Sequence, residues 1–411
     1  MAANNRIFYA CQMVGLSGLG TQRSFNKAGT TVNGDIDPTG GGGTGTGMPI
    51  AHGVQSVGIT TNFNLEQAFE LGQIQIYENI EGLPDVEVTM EKVLDGYPLL
   101  YHMATPSAEQ TSLVGRSKVR CDAALGIFSD AFDSVTDSGS KPYPEVEVYL
   151  SGLYVGNISY TIPVDGNATE SITLTGNNKE WITASGDMHI TSNALEFGEQ
   201  SGYTKDLSGF LGSGLPDQPL ALTNKQGGIQ RRENVMLSKS ILPQAVYGVS
   251  GKAKGNAWNS TTKTPRVHIQ NVSVSTDFSR EDILELGRRT PYYRAPGFPI
   301  EVTCEIEAIA ISGDFVAAYE EGDPTHDGTW NEGDNTSEET IRIHLQDGTV
   351  FDLGKKNRLS SVSYGGGDAA GGNVSITYSY ANFNELHVLH PKDTLSGTKY
   401  TDEQISLINN E

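Results

Sequence analysis

Carboxylates at every second position give this chain its first chance of chemistry. Glu87 and Glu91 are four residues apart, as are Glu301 and Glu305, with Glu307 just beyond. Two carboxyls held across a bond are the machinery of glycoside hydrolysis. Here they alternate with Val86, Val88 and Met90, and with Ile300, Val302, Cys304 and Ile306, in both halves of the chain. That pattern describes the wet face of a strand rather than a cleft. Gly40, Gly41, Gly42, Gly43, Gly45 and Gly47 could cradle a phosphate, but no Gly-Lys-Ser/Thr follows, so the run reads as a flexible loop. The eight histidines lack metal-ligand spacing, and His102, His268 and His344 read as ordinary surface or core residues. Asp130, Asp133 and Asp137 before Gly139 lack the ligand alternation and final Glu of a calcium loop. Cys121 and Cys304 have no neighbouring activator, and Cys304 takes an inward strand position. No catalytic residue, cofactor or metal site is expected, and no enzyme.

Composition points the same way. The 411 residues suffice for two domains, and 48 Gly, 17 Tyr and many short Val/Ile runs between turn residues favour strands. Lys and Arg number 28 against 50 Asp and Glu, a formal net charge of −22. A cationic groove gripping phosphate is therefore not the expected main surface. Such an excess serves solubility, or a surface that faces DNA without holding it. Three widely spaced cysteines imply no disulfide framework. Residues 1–13 lack the pattern of an export signal, and no stretch approaches the roughly 20 apolar residues of a membrane span.

The elements that position these residues occur twice. Residues 54–77 and 269–292 share nine identities at one offset, among them Val57/Val272, Thr61/Thr276, Phe63/Phe278, Leu71/Leu286 and Gly72/Gly287. Chance would give about one or two. Glu87-Val88-Thr89-Met90-Glu91 then aligns with Glu301-Val302-Thr303-Cys304-Glu305. The unit reads as a strand (Val54–Thr60 or Ile269–Ser275), a short helix capped by Asn64 or Ser279 and ended by Gly72 or Gly287, a Pro-containing loop, and a two-faced acidic strand. Later, 145–150 resembles 340–345, and 171–174 resembles 375–378. Residues 7–14 and 245–249 are candidate first strands. The chain is thus drawn as a first domain over 1–210, with a Gly-rich loop at 30–53, a linker over 211–240, a second domain over 241–390, and a polar tail over 391–411. Residues 320–339 form a second, acidic loop.

This order of elements, with Asn-Phe-Asn-Leu-Glu or Asp-Phe-Ser-Arg-Glu, then Glu-Leu-Gly, a Pro loop and Glu-Val-Thr-x-Glu, resembles bacteriophage tail tube proteins. The resemblance is best over 54–94 and 269–312. It implies a mainly β fold of two tandem β-sandwich, barrel-forming tail-tube-like domains, each with one short α-helix. It implies self-assembly into stacked rings that conduct DNA, within a virion tail assembled in the host cytoplasm. Two fused domains suit trimeric pseudo-hexameric rings, with hexameric rings as the other option. Partners are further copies, other tail proteins, and phage DNA passing without specific binding; no membrane is involved. Candidate lumen residues are Glu87, Glu91, Glu301, Glu305 and Glu307, and the glycine loop is a candidate contact between rings. A tail terminator, a baseplate ring protein, and a two-domain sandwich binding protein are the competing readings.

Overall fold

The structure is a computed structural model, and it describes residues 12–18, 48–69, 71, 76–106, 111–128, 144–184, 188–190, 228–236, 241–243, 246, 268–309, 338–365, 373–391, 401, 403 and 404. The fold is mainly β, as the turn-punctuated Val/Ile runs dictate. In the first half the strands are β1 (Gln12–Gly18), β2 (Val54–Phe69), β3 (Ile76–Val93), β4 (Arg120–Ile127), β5 (Val146–Pro163), β6 (Thr169–Gly176) and β7 (Glu180–Ile182). Two short helices, α1 (Leu100–Ala104) and α2 (Leu113–Arg116), lie between β3 and β4. In the second half come β8 (His268–Asp277), β9 (Glu281–Ile283), β10 (Tyr293–Ala295), β11 (Glu301–Ile309), β12 (Arg342–His344), β13 (Val350–Asp352), β14 (Arg358–Gly365), β15 (Ser375–Phe383) and β16 (His387–Leu389).

One antiparallel sheet runs through both halves in the order β14-β15-β11-β8-β5-β6-β3-β2. Read from β2 and from β8, the order is the same twice: β2-β3-β6-β5, then β8-β11-β15-β14, with β1 and β4 joining the sheet beside β5. Bulges fix the correspondence. Gly156 bulges out of β5 against β6, and Ser360 bulges out of β14 against β15. Matching these places Val155 with Leu359, Ile158 with Val362 and Tyr160 with Tyr364. The smaller sheet matches too, since β7 pairs β5 near its start as β16 pairs β13. What is one long strand in the first half is two in the second. Gly152 (φ 69°) bends β5, and Gly354 (φ 70°) separates β13 from β14.

Four expectations need correction. Residues 64–69 are not helical but continue β2 as a hairpin arm with β3, and β9 with β10 forms its shorter counterpart. The presumed cap Asn64 donates instead to the Leu83 carbonyl (3.1 Å) and to Asp85 Oδ2 (2.9 Å) across the hairpin. Cross-strand partners thus outweigh a helical periodicity of barely two turns. Both short helices belong to the first half; in 241–390 only Val246 is helical among the described residues. The acidic strands also align two residues away from the sequence match. Met90 pairs with Val57 and Ile306 with Val272, so Glu91 corresponds to Glu307, and Asp85 to Glu301. Because side chains alternate with period two, the shift changes no face. Similarly, 146–148 correspond to β13 rather than to 340–345.

The core lies on the face carrying Val86, Val88, Met90, Ile158, Tyr160, Ile172, Val272, Val274, Val302, Cys304 and Ile306, all buried. One apolar cluster spans both halves. Asp347 is buried in the β12–β13 turn; one oxygen accepts from the Thr349 N–H (2.8 Å), and Oδ2 has no partner. Burial pushes its carboxyl up to about 6 from the ordinary 3.8. A carboxyl raised in the native state contributes stability below its unfolded pKa, and that contribution is lost as pH rises through the folded value. Asp347→Asn should therefore leave the melting temperature nearly unchanged at pH 4 and stabilise by about 2 kcal/mol at pH 7.5. Thermal melts across this range check it, and a gain independent of pH would contradict it.

Candidate functional site: two free sheet edges and a polar face

The joint between the halves shows what these strands do when paired. β5 meets β8 in an antiparallel ladder from Asn157 opposite Asp277 to Pro163 opposite Asn271. The Phe278 N–H donates to the Gly156 carbonyl (2.8 Å) at one end, and the Val164 N–H to the Gln270 carbonyl (2.8 Å) at the other. On the core face Tyr160 stands opposite Val274, and both are only 1% exposed. The hydroxyl of Tyr160 donates to Glu170 (3.0 Å), which also accepts the N–H groups of Leu100 and Tyr101 at the start of α1. Burial raises the Glu170 carboxyl despite these donors. In sequence its only signal is an acid in step with inward Ile172 and Leu174, which the reading missed.

The same two strands recur at the ends of the sheet without partners. β2 corresponds to β8 and β14 to β5, yet among the described residues no strand pairs with the outer side of either. Val57 and Ile59 occupy the positions of Val272 and Val274, and Leu359 and Val362 those of Val155 and Ile158. At the joint these positions are buried; at the edges all four side chains pack on the core but stay partly exposed. Tyr364, the counterpart of Tyr160, is 55% exposed. An apolar row therefore runs off both edges half covered, beside backbone N–H and C=O groups with no strand to bond.

The opposite face is polar throughout. Its rows are Ser56, Gly58, Thr60 and Asn62 on β2; Asp85, Glu87, Thr89 and Glu91 on β3; Ser171, Thr173 and Thr175 on β6; and Asn157, Ser159 and Thr161 on β5. β8 adds Asn271, Ser273, Ser275 and Asp277, and β11 adds Glu301, Thr303, Glu305 and Glu307. Glu87, Glu91, Glu301 and Glu305 are exposed, and Glu307 is half-buried. All five candidate acids thus lie on one continuous face, as two stripes on the equivalent strands β3 and β11. Gly40, Gly41, Gly42, Gly43, Gly45 and Gly47, and Asp130, Asp133 and Asp137, lie outside the described residues. Cys121 and Cys304 are buried, and desolvation pushes both thiols well up. His102 and His344 are buried and His268 is exposed. Among the described residues no group of three His, Cys, Asp or Glu could hold a metal ion, and no helix is long and apolar enough to cross a membrane.

No family profile and no curated protein sequence matches the chain. Three solved assemblies contain chains it resembles in part. The tube-terminating cap of the anti-feeding prophage is 14% identical over 45% of this chain and 95% of that one, with a TM-score of 0.27. The six-fold symmetrised baseplate of the anti-feeding prophage gives 10%, 44% and 97%, with 0.26. The sheath–tube complex of the extracellular contractile injection system PVC, in its extended state, gives 12%, 44% and 95%, with 0.25. At such TM-scores the likeness carries no argument, and the case rests on the edges themselves.

The ladder's parity is testable within one chain. Ser159 and Ser275 form a pair without mutual hydrogen bonds, since the bonded pairs are those in step with Phe278 and Gly156. Such pairs bring Cα atoms to about 4.5 Å, within disulfide range. Ser159→Cys with Ser275→Cys should cross-link within the chain on mild oxidation, read as loss of two titratable thiols while the protein stays monomeric on a non-reducing gel. Retention of both free thiols would contradict the register.

Proposed function

We propose that the chain is a structural, non-enzymatic virion protein that closes into rings and stacks into a phage tail tube. The observation that carries this is the half-covered apolar row at both sheet edges, at positions that are covered where β5 meets β8. A β2 edge on one molecule and a β14 edge on the next are the two sides of that same joint. Transferring its register sets Val362 opposite Thr61, Ser363 opposite Thr60, Tyr364 opposite Ile59 and Gly365 opposite Gly58. Covering each partly exposed aliphatic contributes about 1 kcal/mol, and each new backbone hydrogen bond about as much. The contact is head-to-tail, so it gives a ring where the rotation closes and an open filament where it does not.

On this reading 1–210 and 241–390 are duplicated tail-tube-like domains, fused so that half the joints of a ring are built in. Three chains, each contributing the eight-strand path of its eleven-stranded sheet, complete a pseudo-hexameric barrel. The polar face, with its Glu87, Glu91, Glu301, Glu305 and Glu307 stripes, lines the channel. Carboxylates repel phosphate over about 8 Å at physiological salt, so DNA slides without sticking.

Thr60→Cys with Ser363→Cys should, on oxidation, convert the protein into covalent oligomers ending at three chains on a denaturing gel. A ladder ending at six would replace the trimer with a hexamer, and monomers at every concentration would sink the ring. Electron microscopy of the assembled protein should show long hollow tubes; rings that never stack would instead fit a terminator or baseplate role. For the channel, Glu87→Lys with Glu301→Lys should leave particles intact while genome delivery falls. Full infectivity would refute the lumen assignment.

A further inference from the structure

The two hairpin arms differ in one respect that the sheet alone does not explain. Phe278, the first residue beyond β8, is fully buried in the shared core, with its N–H on the Gly156 carbonyl. Its counterpart Phe63 is 70% exposed on the first arm. The bases of the two arms share one close approach. Gly82 lies against Asn64, and Gly297 against Ser279, each too close for a side chain. Asn64 and Ser279 directly follow the two phenylalanines; Ser279 alone of the two has a positive φ (43°), and Phe63 still pairs with Pro84 within β2. Both phenylalanines nevertheless fall on the core face of their strands, in step with Thr61 and Thr276. Phe63 therefore has the geometry of a plug without a socket.

The socket for Phe278 belongs to the first half, at Val155 and Gly156. The matching positions in the second half are Leu359 and Ser360, and Leu359 is only partly covered. We infer that the first hairpin arm of one chain docks on the second half of the next. Phe63 enters beside Leu359, and its N–H donates to the Ser360 carbonyl, as Phe278 does at Gly156. The occupant is a second copy of this chain, because the internal joint shows what covers this position.

The surrounding charges tell the two joints apart. Around Phe278, Arg280 donates to the carbonyls of Val155 (2.6 Å), Ser117 (2.8 Å) and Arg294 (3.2 Å), and lies 4.7 Å from the Tyr154 ring. Arg294 reaches Asp85 (3.3 Å) and Asp282 (2.8 Å). On the first arm the corresponding residues are Leu65 and Asn79, neither of them charged. Arginines clasp the joint within the chain, whereas the joint between chains relies on Phe63 and Leu65. The joint within the chain is thereby the stronger, and the assembling one is the reversible one.

This inference rests on the ring reading, and the experiment separates the two. Phe63→Ala, Phe63→Leu and Phe278→Ala are each placed in the Thr60→Cys, Ser363→Cys background. Dilute-monomer melting and the protein concentration giving half-maximal cross-linking are then measured. Phe63→Ala should leave the monomer melt unchanged and raise that concentration at least about tenfold, with Phe63→Leu restoring most of it. Phe278→Ala should lower the monomer melt itself. Cross-linking of Phe63→Ala at the parent's concentration overturns the inference while the ring stands. Absence of cross-links in the parent protein overturns both.

Discussion

A β-sheet whose apolar face continues to its last strand leaves that row half covered until something packs against it. That constraint shapes this molecule. Between β5 and β8 it is met internally, where Tyr160 and Val274 seal the core face and the backbone groups bond each other. At β2 and β14 the same positions carry Ile59 and Tyr364, and nothing in the described chain completes them. Edge strands that stay single are commonly short, charged or interrupted by Pro. β2 is sixteen residues long, and its portion facing outward from Val57 to Phe63 has neither charge nor Pro. Such a stretch suits pairing.

The chain's asymmetries then have a common purpose. The first half carries the helices α1 and α2, and Glu170 ties the start of α1 to the sheet. The second half carries the arginines that fasten its arm to the first. On the proposed reading, duplication gave two equivalent joints, of which one is built into the chain. The polar face shows the opposite behaviour. Across the joint its rows continue as Ser, Thr, Asn, Asp and Glu, so no seam interrupts the acidic stripes.

Much of this was legible in the sequence, for identifiable reasons. Strict alternation in 86–91 and 300–307 fixed which residues face the core, and the nine identities located the repeat. The helix misreading arose because Leu65, Phe69 and Leu71 have helical spacing; these residues are exposed on an arm, so the spacing reflects no packing against this chain. The two-residue slip of the acidic strands was invisible because alternation repeats every two residues and cannot distinguish even shifts. Glu170, Arg280 and Arg294 were missed since their partners lie far away in sequence. The continuity of one sheet through both halves is a pairing between strands more than a hundred residues apart, which no local pattern encodes.

Hydrogen–deuterium exchange tests the central claim most directly. By the parity of the β5–β8 ladder, the amides of Val57, Ile59, Thr61, Val362 and Tyr364 point away from the sheet and exchange freely in the dilute monomer. In the assembled state these five should become protected, while neighbouring amides already bonded within the sheet change little. Unchanged exchange at these positions in fully assembled protein would contradict the account.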